Sequence, residues 1–325
     1  MKIALFATVL YTVMGQWFLW NALIRSDSLS AFVFLFMAMI LAFFQSIKVL
    51  KGTLESERFY GLRFEMKTVL AVWLGTVLTY LLSSLTELGS IAASSLVGMA
   101  AGVFFIPYSL AVFCGSFIGM SSPELFSFFD LGLAGLIGGF IYCCGSDAFE
   151  GMGGKLGATA FMGSWMVFVI VSNRPGKEMF IPYNQLNVNF DMQGWLWFFT
   201  LCALGSALTY YLVDRFRVSP VLSAGFVGLI GVILFLLFPH YMTEVHTAGI
   251  YSAAFAGMCS KKLFSNVSFY FILGIVTGGL YMAVLPVFNH LGGKLGMTAF
   301  MAVLIVQAAI NIRASNRNVF RFLKN

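Results

Sequence analysis

The sequence predicts an all-α, polytopic membrane protein built from two related halves. Three observations carry that prediction: an apolar composition, about ten apolar runs long enough to span a bilayer, and an ordered internal duplication. Of 325 residues, 60% are hydrophobic and only 10% charged, with a mean hydropathy of +0.90. A soluble domain carries about 25% charged residues, so lipid rather than water is the expected main solvent. Thirty-six Phe and seventeen Met suit a lipid-facing surface and its packing gaps.

A span of the hydrocarbon core needs about 20 mostly apolar residues. Runs that meet this cover 3–24, 30–50, 67–86, 91–107, 125–145, 155–172, 194–213, 219–238, 267–288 and 295–312. The opening MKIALFATVLYTVMG has the look of a signal peptide. Its apolar run continues through Gln16-Trp17-Phe18-Leu19-Trp20 with no small-residue cleavage site, so a retained first span is expected. Lys51 to Lys67 mixes charge with Leu54, Phe59, Tyr60, Leu62 and Phe64, a pattern that suits an amphipathic helix on the membrane surface.

The duplication is the most specific signal. Gly153-Gly154-Lys155-Leu156-Gly157-Ala158-Thr159-Ala160-Phe161-Met162 returns at 292–301 as GGKLGMTAFM, differing only at Met297. Phe117-Ile118-Gly119-Met120-Ser121 returns as Phe255-Ala256-Gly257-Met258-Cys259, Leu78-Thr79-Tyr80 as Leu208-Thr209-Tyr210, and Val97-Gly98 as Val227-Gly228. The matches keep their order, and an insertion around Pro239–Val245 accounts for most of the drift in spacing. The expected division is two lead-in spans and the amphipathic linker (1–66), a first repeat (67–173), a connecting loop (174–192), a second repeat (193–312) and a basic tail (313–325).

Each repeat then holds two spans, a short segment carrying FxGM, and two more spans. The short segments, Tyr108–Ser121 and Thr247–Ser260, are too brief for an ordinary crossing. Each is a half-helix or a re-entrant hairpin. If each crosses, the repeats are inverted; if neither does, they are parallel. Charge placement favours inversion. The loop Ser83-Ser84-Leu85-Thr86-Glu87 has no base where its counterpart reads Asp214-Arg215-Phe216-Arg217, and Pro123-Glu124 stands where the second half has Lys261-Lys262. Matched loops that exchange charge are what insertion in opposite orientations selects, because cytoplasmic loops are rich in Lys and Arg.

In inverted-repeat membrane proteins the site lies near the midplane, where discontinuous helices meet. That places the substrate path along Ser116, Phe117, Gly119, Met120 and Ser121 in the first half and Phe255, Gly257, Met258 and Cys259 in the second. The competing explanation for Gly119 and Gly257 is close helix packing. The doubled GGKLGxTAF supplies a candidate anion site at Gly153, Gly154, Lys155 and Thr159, and at Gly292, Gly293, Lys294 and Thr298. A lysine in the first turn of a helix is disfavoured by the dipole. Finding it twice implies that something offsets the cost, an anion on the free N–H groups being one such partner. Simple snorkelling to the interface is the alternative.

Asp130 is the candidate intramembrane acid, and its counterpart is Ser268. His240, Glu244 and His246 could ligate zinc, but their spacing is not HExxH and no metal is expected. Five cysteines sit in or beside apolar runs with no CxxC spacing and read as small buried hydrophobes. The net charge of +6 falls between apolar runs and leaves no basic stripe, which excludes nucleic-acid binding. No nucleotide or nucleophile motif stands in a suitable context, so neither enzyme nor cofactor is expected.

The expected function is therefore transport of a small solute, an anion among the candidates, by a channel or secondary transporter with its path between inverted repeats. The alternative is a non-transporting, membrane-embedded partner or assembly subunit that docks through 173–193 and the basic tail. Expected partners are the lipid bilayer, a small-molecule or ion substrate, and a second copy or a membrane subunit. The compact size and short loops fit a bacterial inner membrane with both termini cytoplasmic.

Overall fold

A computed structural model describes residues 2–26, 28–55, 64–86, 88–173, 188 and 190–322. Every element in the described residues is a helix. Two leading helices, α1 (Lys2–Leu23) and α2 (Leu29–Glu55), precede two sets of five. The first set is α3 (Met66–Leu85), α4 (Gly89–Phe104), α5 (Ser109–Ile118), α6 (Phe128–Cys144) and α7 (Lys155–Ser172). The second is α8 (Met192–Arg215), α9 (Pro220–Leu237), α10 (Glu244–Gly257), α11 (Val267–Ala283) and α12 (Lys294–Phe322). Among the described residues, seven helices are long and apolar enough to cross a membrane: α1, α2, α3, α7, α8, α9 and α12. α4, α6 and α11 are shorter apolar helices of 16 or 17 residues.

Helix ends follow local chemistry. Ser127 and Asp130 form a reciprocal capping box at the start of α6, satisfying N–H groups with no intrahelical partner. Asp191 accepts from Gly194 N–H at 2.7 Å to start α8, and Ser219 caps α9 ahead of Pro220. The apolar run 267–288 yields a helix only to Ala283. Pro286 lies just beyond, where it cannot continue a helix, and Phe288 adopts a positive φ of 56°. α2 continues to Glu55 into the stretch expected as an amphipathic surface helix, of which 56–63 lies outside the described residues. The connecting loop at 174–187 also lies outside them. The basic tail is a helical extension of α12 as far as Phe322.

Glycine contacts fix the directions of the helices. Gly115 meets the backbone of Val72 and Gly119 that of Thr76, so α3 and α5 run parallel. Gly135 faces Thr76 and Gly139 faces Val69, so α6 opposes α3. Contacts of Gly249, Gly257, Gly274 and Gly278 with α8 give the same relations among α8, α10 and α11. At all of these but Gly278 a Cβ would collide with the neighbouring helix, and the missing side chain is what permits the approach.

Helices at matching places in the two sets pack against each other, each pair antiparallel. α7 crosses α12 where Gly157 meets Gly296, with Gly154 beside Phe300 and Gly293 beside Phe161. α4 crosses α9, with Gly102 near Leu222 and Gly225 near Ser95. α5 crosses α10 through Phe113, Phe117, Tyr251 and Phe255. The α1 helix lies over the α7–α12 crossing. Its Tyr11 ring contacts Phe149 and Phe300, and its Phe18 ring contacts Phe161 and Phe288. α2 joins α12 through Asn311, whose side-chain amide donates to Gln45 at 2.9 Å.

These directions give the bundle two ends. α1, α3, α5 and α9 begin at the near end, and α12 finishes there. α3 finishes at the far end, where α4 and α10 begin, whereas α7 and α12 both begin inside the bundle, where Gly157 meets Gly296.

Candidate functional site

Two cavities penetrate the bundle between the two sets of helices. The near cavity, about 270 Å³, is walled by Tyr11, Tyr142, Glu150, Lys155, Gly157 and Met258, with Gly153, Gly154 and Thr159 also on it. The far cavity, about 440 Å³, is walled by Met120, Ser121, Glu244, Tyr281, Asn289 and Lys294, with Gly292 and Gly293 also on it. Both cavities share two residues, Phe117 and Phe255. Those rings lie 4.6 Å apart between centroids, close enough to leave no gap for a solute. Phe113 and Tyr251 flank them, at 4.5 Å from Phe117 and 4.2 Å from Phe255 respectively.

Contacts on the two sides match residue for residue. Gly292 N–H donates to Ser121 Oγ at 2.9 Å, and Gly153 N–H to Cys259 Sγ at 3.1 Å. Ser122 N–H donates to His290 O, and Ser260 N–H to Gly151 O, both at 2.9 Å. Cys114 donates to Leu156 O and Ser252 to Leu295 O. The connections before α7 and α12 share a backbone shape, with positive φ at Phe149, Gly151 and Gly154 and again at Phe288, His290 and Gly293. An L-residue other than Gly, Asn or Asp seldom adopts that conformation. Two strained Phe residues at matching places therefore mark a connection held by its surroundings.

The lysines that open α7 and α12 turn back to the preceding connection. Lys155 Nζ donates to Ser146 O at 2.7 Å; Lys294 Nζ donates to Leu285 O at 2.9 Å and to Asn289 Oδ1 at 2.7 Å. These acceptors offset part of the dipole cost expected for a first-turn lysine. Thr159 and Thr298 donate to the carbonyls of those same lysines, Thr159 also pairs with Tyr11, and Thr298 is buried away from the far cavity.

The other expected site residues divide. Phe117, Phe255, Met120, Ser121 and Met258 reach the cavities, whereas Gly119 and Gly257 face Thr76 and Ser206 on α3 and α8. Cys259 stands behind the near cavity as a partner of Gly153. Ser116 is fully buried and bonds Ser94 at 2.9 Å, and Ser94 bonds the Tyr251 hydroxyl at 3.0 Å. Asp130 serves the α6 capping box. His246 caps α10 through Thr243, and no group of three metal-ligating side chains occurs among the described residues. Asn21 donates to Trp17 O within its own helix.

Sequence reasoning missed Phe113, Tyr251, Tyr142 and Tyr281. Aligning the two halves outward from FxGM would have paired Phe113 with Tyr251, and from GGKLG would have paired Tyr142 with Tyr281. The arrangement is that of an apolar-helical bundle with paired internal cavities, the build of a helical membrane protein. No family model, curated protein or solved structure matches this chain.

Proposed function

We propose that this chain is a channel or secondary transporter that carries a small solute along a path between two inverted repeats. One observation supports the reading above the others: cavities reaching in from opposite ends meet at a single pair of matched rings, Phe117 and Phe255. The antiparallel packing of α4 on α9, α5 on α10 and α7 on α12 supports the inverted relation. A two-fold axis along the helices would leave equivalent helices parallel, whereas an axis across them reverses one of each pair. Non-helical backbone at membrane depth is tolerated only when buried in protein or lining a cavity. The connections carrying Gly153 and Gly292 do line cavities.

The near end is the cytoplasmic one in this reading. Lys48, Lys51, Lys67, Arg215, Lys261 and Arg313 gather there, whereas Arg25 lies at the far end and Lys155 and Lys294 stand inside the bundle beside the α7–α12 crossing. Both chain ends are then cytoplasmic. Reporters fused after Glu87 and after Arg217 are expected on opposite sides, and finding both on one side refutes the inverted relation. Flux of a panel of small anions and neutral solutes into proteoliposomes tests the function itself. Selective uptake is expected; no uptake of any member refutes transport by this chain alone.

A further inference from the structure

We infer that the far cavity holds a binding site for a small monovalent oxyanion or carboxylate, built on Lys294 and Tyr281, and that the near cavity lacks its equivalent. Lys294 is 7% exposed and makes no ion pair among the described residues. Its partners, Leu285 O and Asn289 Oδ1, are both neutral. An ammonium has three donors, so one remains for a ligand. A buried charge with only neutral partners is costly, and the start of α12 adds positive potential at the same place. Tyr281, 6% exposed on the wall of the same cavity, has a hydroxyl with no hydrogen-bond partner among the described residues. Two donors without acceptors therefore face one space. The ligand that answers both is rich in acceptors and negatively charged. Glu244 also borders the cavity and places negative charge near the Tyr281 hydroxyl, but it is exposed and forms no ion pair with Lys294.

The near cavity supplies the contrast. Lys155 occupies the matching position, but Asp147 and Glu150 place negative charge close to its ammonium. Glu150 stands where the second half has Asn289, and Asp147 where it has Pro286. One lysine thus has its counter-charge within the protein and the other does not.

The biological use of the site rests on the solute-path reading; its occupancy does not, and can be measured without flux. Purified protein in detergent would be titrated with sodium formate and with sodium nitrate at constant ionic strength, with calorimetry and thermal unfolding as readouts. Saturable binding to wild type is expected. Asn289→Glu, which copies the acid of the near site, should weaken it by at least about tenfold through like-charge repulsion. Lys294→Met and Tyr281→Phe should weaken it too, while Glu150→Asn should leave it intact. Unsaturable binding, or affinity unchanged in Asn289→Glu, overturns the inference. Absent anion binding alongside neutral-solute uptake would remove the anion site and keep the path. Saturable binding without any uptake would keep the site and remove the path.

Discussion

On the proposed solute path, loosening the ring pair between the cavities should raise flux by a predictable amount. Phe117 and Phe255 meet at 4.6 Å with planes tilted by 49°, a favourable aromatic geometry, and both are at most 2% exposed. Such a pair contributes about 0.5–1.5 kcal/mol beyond area burial. Replacing one ring by Leu keeps an apolar side chain of similar volume and removes that contribution. If the closed state is held by the pair, the ratio of open to closed molecules rises about twofold to tenfold, since about 1.4 kcal/mol is a factor of ten. Phe117→Leu and Phe255→Leu should each give this increase, and the double variant should add little to either single one, because one interaction is being removed. The assay is stopped-flow uptake into proteoliposomes at matched protein density, with monodispersity checked by size exclusion. Unchanged flux in both single variants and in the double variant, with all three folded, would show that the rings are not the barrier.

Further predictions concern packing. Tyr251→Phe should cost about 0.6–1.5 kcal/mol of thermal stability, the worth of one buried hydroxyl bond, measured by unfolding in detergent. Phe113→Tyr should cost more, about 1–3 kcal/mol, because its matching neighbours Ala224 and Ala254 offer the new hydroxyl no side-chain partner; equal effects would contradict the matched placement. Gly157→Leu drives a side chain into the backbone of Gly296 and should abolish recovery of monodisperse protein. By contrast, Gly52→Leu, in open space on α2, should be tolerated. Equal yields for the two glycine variants would refute the close α7–α12 crossing.

Much of the fold was legible because hydropathy and duplication report on long segments. The ten expected apolar runs each contain a helix, and the two short FxGM segments are single helices of 10 and 14 residues. The insertion near Pro239 falls in the connection before α10, where the first half has only a short 3₁₀ turn at Ile106–Tyr108. Helix ends were less legible. Nothing apolar distinguishes Val284 and Leu285 from the helix they follow, and the stop comes from Pro286 and the strained Phe288. The lining of the two cavities was legible in part. Phe117, Lys155 and Lys294 stood out because they recur. Gly119 and Gly257 recur for another reason, their contact with α3 and α8, and repetition alone cannot separate a lining residue from a packing one. Tyr251 and Ser94 went unread because the relevant signal is a difference between halves, visible only once Phe113 and Tyr251 are known to occupy matching places.

Those differences deserve the weight usually given to identities. The matched glycines fix where helices cross, so the two halves share a frame. Within that frame the hydroxyls beside the ring pair gather at one of two matched places: Ser94, Ser116 and Tyr251 are bonded together, and at the matching place stand Ala224, Ala254 and Phe113. Tyr251 reaches from α10 to Ser94 on α4, so its hydroxyl ties the second set of helices to the first beside the ring pair. Phe113 makes no such tie. Separating α5 from α10 therefore costs more on the Tyr251 side than on the Phe113 side, and a motion that opens the proposed path is cheapest as a hinge about Tyr251. The Ser94→Ala variant tests this directly. It removes the tie without touching either ring or either cavity, so it should raise uptake while lowering thermal stability. A loss of stability with no change in uptake would reduce the hydroxyl trio to a packing device.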